Sequence, residues 1–177
     1  MTYSLQTKEI LPDILDTNIR ILFIGAAPSR ASADTGHYYA DASDQFYQLL
    51  FEGGFTEEPL SPEQDHVLPE YRIGLTHLTK TRAVDDPDKL EPVDFSIGRL
   101  IRLVFEYSPE VVCFNGEIVF RQFFNTSAQF GPQKERIGGA GVYVVPASSA
   151  ENDHRAYQEK LKWFRELYRI LEQGDPD

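Results

Sequence analysis

Short apolar runs alternate along this chain with stretches whose apolar residues fall at helical spacing. Arg20-Ile21-Leu22-Phe23-Ile24-Gly25 is apolar at four successive positions and is stopped by glycine, the pattern of a strand buried on both faces. Arg72-Ile73-Gly74-Leu75-Thr76, Val111-Val112-Cys113-Phe114 and Val142-Tyr143-Val144-Val145 repeat it, the last ending at Pro146 after a Gly138-Gly139-Ala140-Gly141 turn. Between these runs the spacing changes. Phe46, Tyr47, Leu49 and Leu50 suit a helix, and Ser61-Pro62-Glu63-Gln64 reads as a helix start with serine as cap and proline at the first helical position. Ile97, Leu100, Ile101, Val104 and Phe105 fall at i, i+3, i+4, i+7, i+8. Asn115-Gly116 turns into a helix carrying Val119, Phe120 and Phe123, and a last helix aligns Tyr157, Leu161, Phe164, Tyr168 and Leu171.

Strands and helices in this alternation predict an α/β fold: a three-layer sandwich whose mostly parallel central sheet has helices on both faces. No repeat and no linker interrupts the pattern, so residues 1–177 are expected to form a single domain. In such sheets ligands bind beyond the carboxyl ends of the strands. That places the chemistry in three loops: 26–42, rich in small residues; 76–88, polar with two adjacent aspartates; and 146–152.

Composition narrows the picture. A chain of 177 residues can bury about 70% of its unfolded surface and needs no covalent or metal staple. The one cysteine, Cys113, lies within an apolar run, which excludes an internal disulfide or a cysteine cluster for metal and points to a buried thiol in a reducing compartment. Residues 1–10 lack a basic start followed by an apolar stretch, and no run reaches the ~18 apolar residues of a membrane span. The expected location is cytoplasmic. A net charge of −11 argues against a broad grip on nucleic acid and predicts weak binding that depends strongly on salt.

The first loop reads Gly25-Ala26-Ala27-Pro28-Ser29-Arg30-Ala31-Ser32-Ala33-Asp34-Thr35-Gly36-His37-Tyr38-Tyr39-Ala40. It resembles the first motif of the mismatch-specific uracil-DNA and thymine-DNA glycosylases of the uracil-DNA glycosylase superfamily, Gly-Ile-Asn-Pro-Gly followed by Ser-Ala-x-x-Gly-x-x-Phe/Tyr-Ala. The likeness continues through Asp44-Gln45-Phe46-Tyr47, Gly53-Gly54-Phe55-Thr56, Leu60-Ser61-Pro62-Glu63 and Gly74-Leu75-Thr76-His77-Leu78. Val145-Pro146-Ala147-Ser148-Ser149-Ala150 is similar to the second motif. The match runs in order over roughly residues 20 to 170, which makes it more specific than one short motif.

What the resemblance implies is a monofunctional enzyme of base excision repair that swings a base out of DNA into a pocket and hydrolyses its N-glycosidic bond, with uracil as the base. Tyr39 is then the aromatic wall against the extruded base; Gly25, Ala26, Ala27 and Ser32 line the pocket. Ser29, Arg30 and Lys80 join Ser148, Ser149, Ala150, Glu151 and Asn152 in contacting DNA, with the Ala150-Glu151 region entering the duplex. The expected partner is DNA containing uracil or another damaged base, met by a monomer without metal, organic cofactor or membrane.

Two positions depart from the family pattern. Ala27 replaces the asparagine that orients the attacking water, and a methyl group cannot orient water. A carboxylate near the sugar can direct a water and stabilise the positive charge of the transition state. Asp86 is the first candidate, Asp85 the second and Asp88 the third. Glu151 stands where relatives carry an apolar or basic wedge, so Asn152, His154 and Arg155 are candidates to replace its contacts, and Arg30, Lys80, Arg82, Lys134 and Arg136 are expected to form a local basic face. Two other readings stand beside the glycosylase: a catalytically impaired homologue that still binds DNA or a base, and a fold relative with a small-molecule partner.

Overall fold

The apolar runs pair as β1 (Ile21–Gly25), β2 (Ile73–His77), β3 (Val111–Asn115) and β5 (Ala140–Val145), joined by β4 (Gly131–Ile137). In the computed structural model, which describes residues 8–174, they form one sheet in the order β2-β1-β3-β5-β4. The contacts β1–β2, β1–β3 and β3–β5 are parallel, and only β4 runs antiparallel.

Alternation along the strands sends successive side chains to opposite faces. Ile21, Phe23, Leu75, Cys113 and Tyr143 face α2 (Phe46–Gly53) and α5 (Tyr157–Gln173), where Phe46, Leu49, Leu50, Leu161 and Phe164 complete the packing. Leu22, Ile24, Val112, Phe114 and Val144 face α3 (Ile97–Tyr107) and α4 (Glu117–Phe124) through Leu100, Val104, Val119 and Phe120. The expected α/β sandwich with a mostly parallel sheet is therefore the fold observed. No helix among the described residues is long and apolar enough to cross a membrane. Of the stretch read for a secretion signal, residues 1–7 lie outside the described residues.

Several elements differ from the pattern-based expectation. β4 was not legible because only its ends, Gly131 and Ile137, are buried, while Pro132, Lys134 and Arg136 are exposed on a sheet edge. The loop at 26–42 contains a short helix, α1 (Arg30–Thr35). The segment opened by Ser61-Pro62 is a run of 3-10 turns over Pro62–Tyr71, with Pro69 inside it. On α3, Phe105 leaves the expected stripe: it is 64% exposed and lies over the hairpin at Gly138, where an added Cβ would be 3.2 Å from its ring.

A buried ion cluster ties the N-terminal segment to the sheet. The Asp13 carboxylate accepts from Lys80 Nζ at 2.6 Å, Arg99 at 2.9 Å and the Thr76 hydroxyl at 2.6 Å. Burial holds the Lys80 ammonium below its ordinary value, and Asp13 opposes that shift. Removing the partner of a buried charge costs about 3–5 kcal/mol because the other charge is stranded. Asp13→Ala is accordingly expected to lower unfolding free energy by about 3 kcal/mol in urea denaturation, and a loss below about 1 kcal/mol would show that the cluster does not hold the segment.

Candidate active site

The carboxyl ends of β1, β2 and β3 bring Gly25, His77 and Asn115 to the floor of a cavity of about 650 Å³. All three loops anticipated from the strand ends contribute to it, through Ala26, Ala27 and Ser29, through Val84, Asp85 and Pro87, and through Ala147, Ser148, Ser149, Glu151 and Asn152. Backbone bonds lash the first two together: Leu78 N–H donates to Gly25 O, Thr79 N–H to Ala26 O and Val84 N–H to Pro28 O, at 2.8–2.9 Å. The third loop pairs with the segment before α2, Gln45 N–H donating to Ser148 O at 3.0 Å and Ala150 N–H to Ser43 O at 3.1 Å.

Tyr39 is held in a left-handed backbone conformation, φ 54°, which costs energy for a bulky residue and persists only where its surroundings enforce it. Those surroundings are specific. The Ser32 hydroxyl, 1% exposed, accepts from Ala40 N–H at 3.0 Å, while Asp65 accepts from Tyr38 N–H at 3.0 Å. The Tyr39 ring packs on Phe46 at 4.1 Å, and its hydroxyl reaches so close to Gly25 that a Cβ there would be 2.9 Å away. Glycine at the end of β1 is thus required by space.

Two buried polar atoms at this floor, Tyr39 Oη and His77 Nδ1, have no hydrogen-bond partner among the described residues. Burial pushes the Tyr39 phenol up; the Asn115 amide lies beside it as a donor and opposes the rise, although the pair falls outside hydrogen-bond geometry. Burial, assisted by the charges of Lys80 and Arg99, holds His77 well below its ordinary value, so its ring is neutral. Buried polar groups without partners are uncommon in folded proteins, and two of them side by side set this floor apart from the rest of the core.

Asn115 itself is anchored by Ser148. The Ser148 backbone N–H donates to Asn115 Oδ1 at 2.9 Å, and Asn115 Nδ2 donates to the Ser148 hydroxyl oxygen at 2.9 Å. The Ser148 hydroxyl in turn donates to Asp44 at 2.6 Å, and the same carboxylate oxygen accepts from Phe46 N–H at 3.1 Å. Burial pushes the Asp44 carboxyl up from 3.8 to about 6, against the two hydrogen bonds that favour its charged form.

Residues 12–172 match the family model of the Uracil DNA glycosylase superfamily. The chain belongs to that superfamily. Its members are DNA glycosylases. The solution NMR structure of a "putative Uracil DNA glycosylase from Methanosarcina acetivorans" superposes with a TM-score of 0.68 at 23% identity, covering 92% of this chain and 97% of that one. At that identity the likeness concerns the fold.

Within this superfamily member the anticipated residues divide. Gly25, Ala26, Ala27, Ser29, Ser32 and Tyr39 all line the cavity. Ala27 presents no polar side-chain atom to it. Asp85 lines it too, its carboxylate accepting from Arg30 N–H at 3.0 Å at the start of α1. Asp86 does not line it; its side chain accepts from Asp88 N–H at 3.0 Å and caps the 3-10 turn Pro87–Lys89. The bend of the backbone at this point puts the Asp85 side chain at the cavity wall and the Asp86 side chain on the turn that follows.

The DNA-contact expectations need correction. Lys80 is 2% exposed and paired with Asp13, so it is absent from any basic face. Ser148 is 1% exposed, and its hydroxyl proton is committed to Asp44, so it does not offer phosphate a donor. Ser149 remains half-buried beside the cavity, its hydroxyl accepting from Asn152 N–H at 3.3 Å and its carbonyl from the buried Lys160 at 3.3 Å. Ala150 is half-buried behind it, and Glu151 and Asn152 are exposed at the rim.

None of the five cations expected to gather, Arg30, Lys80, Arg82, Lys134 and Arg136, lines the cavity. Arg30 is exposed near Asp85, Arg82 pairs with Asp94 at 2.7 Å, and Arg136 lies at the opposite end of the sheet, opposite Gly141 of β5. Among the described residues the cavity lining carries Asp41, Asp44, Asp85, Glu117, Glu151 and Asp153 against one arginine, Arg155, which is bound to Asp153 at 2.6 Å.

Asn115, His77 and Asp44 were missed as site residues. Asn115 and His77 are polar residues closing apolar strands, the position that the strand-end rule already singles out. Asp44 carried no such signal.

The Asp44 shift has a testable consequence. Its folded value lies above its unfolded one, so its contribution to stability is complete below about pH 4 and is lost as pH rises through about 6. Asp44→Asn does not titrate and is expected to gain on the native chain by about 2–3 kcal/mol between about pH 4 and pH 7.5. Urea unfolding of both proteins at the two pH values measures this, and a constant difference would refute the buried-carboxyl assignment.

Proposed function

We propose that this chain is a monofunctional glycosylase that hydrolyses the N-glycosidic bond of uracil in DNA. The observation that carries the reading is one cavity lined at once by an aromatic ring, a carboxamide with a hydrogen to spare, and a carboxylate. Stacking of a flipped base on the Tyr39 ring is worth about 1–3 kcal/mol. Ser148 engages one hydrogen of Asn115 Nδ2, and the other is free to donate to an exocyclic base oxygen, which uracil has and cytosine lacks at that edge.

Asp85 takes the part first given to Asp86. Its carboxylate directs a water at the sugar C1′ and stabilises the oxocarbenium-like charge. The C1′–N1 bond breaks with its electron pair leaving on the base, the water oxygen bonds to C1′, and the water proton passes to the carboxylate. Schiff-base chemistry is unsupported: Lys80 is sequestered by Asp13, and the buried Lys160 Nζ is held by the carbonyls of Ser149 and Asp153. The likeness of residues 25–40 to the mismatch-specific branch makes uracil opposite guanine the first substrate to test.

A second reading, a base-binding homologue without turnover, is favoured by the bare methyl of Ala27. In either case the acidic rim implies few phosphate contacts. The salt slope scales with the number of phosphates neutralised, so two guanidinium groups, Arg30 and Arg155, give a shallow slope of about −2 rather than the strong dependence expected from net charge.

Asp85→Asn is expected to slow uracil release from duplex DNA by roughly 10²–10³-fold, and Asp86→Asn to stay within about twofold of the unmodified chain. Alkaline cleavage of uracil-containing oligonucleotides reads both. Loss with Asp86→Asn alone would restore Asp86 as the catalytic carboxylate. Salt-sensitive binding without base release by the native chain would favour the second reading.

A further inference from the structure

Resting on the reading that the cavity receives a nucleotide swung out of DNA, we infer that the buried Lys160 ammonium is a positioning residue for the loop at 149–153. It holds that loop in the shape that meets DNA, and through it sets the place of Arg155. Lys160 lies in the first turn of α5 and is 0% exposed. Its Nζ donates to the Asp153 carbonyl at 2.7 Å and to the Ser149 carbonyl at 3.3 Å, and among the described residues no carboxylate pairs with it. Burial holds the ammonium below its ordinary value, and the nearby charges of Asp153 and Asp44 oppose that shift. An ion taken out of water carries a desolvation cost that an apolar side chain of similar length avoids. Filling space therefore does not account for a charge at this point. Drawing two carbonyls together does.

Those carbonyls are the two ends of the loop. Asp153 N–H donates to Ser149 O at 3.0 Å, closing a single helical turn, and Asn152 N–H donates to the Ser149 hydroxyl at 3.3 Å inside it. The near end is fixed by Ala150 N–H, which donates to Ser43 O at 3.1 Å, and by the bridge between Asp44 and Ser149. At the far end the tie to the body of the fold is Lys160, which leaves a helix whose Leu161 and Phe164 are packed in the core. Asp153 carries the consequence into the cavity. Its carboxylate accepts from the Arg155 backbone N–H at 3.0 Å and from the guanidinium at 2.6 Å, and that guanidinium lies 4.6 Å over the Phe130 ring. Ser149, Glu151, Asn152, Asp153, Arg155 and Phe130 all line the cavity. A lysine hidden from solvent thus shapes the rim that DNA meets. With the turn formed in advance, binding does not carry the entropy of ordering it.

The test compares the full chain with Lys160→Met, which keeps the length of the side chain and removes its charge and donors. Amide hydrogen exchange reads the loop and urea unfolding reads the fold. Fluorescence anisotropy at low salt reads the affinity for a duplex carrying a tetrahydrofuran abasic site, which has no base to release. In Lys160→Met the Asn152 and Asp153 amides are expected to exchange at least about tenfold faster while those of β1 and β3 keep their rates. The urea midpoint is expected to hold or rise, and the duplex to bind about fivefold more weakly. Lys160→Gln, which keeps an NH₂ donor and is expected to lose less on both counts, reads the same quantities should the methionine variant fail to fold. Unchanged exchange at Asn152 and Asp153 would remove the tether, and faster exchange with unchanged affinity would show that DNA makes no use of the ordered turn. Either result overturns the inference and leaves the glycosylase reading intact. A lowered urea midpoint with faster exchange throughout the sheet would make Lys160 a support of the whole fold and overturn the inference likewise. A native chain without measurable affinity for the duplex also overturns it, and uracil release by that chain then decides the glycosylase reading separately. Weaker binding by the variant beside a native chain that binds but releases no uracil would uphold the positioning role and count against turnover alone.

Discussion

Parallel pairing of β1 between β2 and β3 is the constraint from which the site follows. With Gly25 opposite His77 and Ile24 opposite Phe114, three strand ends lie side by side at one edge of the sheet. Parallel strands need crossover connections, and each crossover leaves its strand at that same edge. The loops accordingly crowd together and satisfy one another's backbone groups, as in the donations from Leu78, Thr79 and Val84 to the loop after β1. A slip of one residue would exchange the side chains that β1 presents to the two helical layers and separate Gly25 from Tyr39.

The crowding is possible because one partner has no side chain. Gly25 admits the Tyr39 hydroxyl and the His77 ring where any Cβ would collide with both. The energy of the fold elsewhere, in two apolar layers on the faces of the sheet, holds a strained tyrosine and several unsatisfied polar atoms in place. Such strain is characteristic of sites arranged for a ligand rather than for stability alone.

Electrostatics sets the site apart from a nucleic-acid surface built on charge. Acidic side chains around the cavity outnumber the basic ones, and none of the cations expected to form a local basic face lines it. Recognition by such a surface relies on shape, stacking and hydrogen bonds inside the pocket. Asp44 belongs to this interior chemistry: it is held in a dry setting where a hydrogen-bonded acceptor orients a neighbour more effectively than it would in water.

The order of the strands along the chain, the two-sided burial of the sheet and the three loops of the site were readable from the sequence, because burial imposes apolar runs and glycine ends them. Membership of the superfamily was readable too, since the motif residues around Gly25 and Ser148 stand in order. Other features had no such signature. β4 is an edge strand whose polar residues satisfy no core, so no apolar run marks it. Asp85 and Asp86 are identical in type and adjacent, and only the path of the backbone turns one toward the cavity and the other onto its own turn. Lys80 and Ser148 look like surface residues in composition, yet Asp13 and Asp44, 67 and 104 positions away, draw them inside. Hydrophobic pattern is a local property written along the chain; the partner of a polar group is a distant one, and folding chooses it.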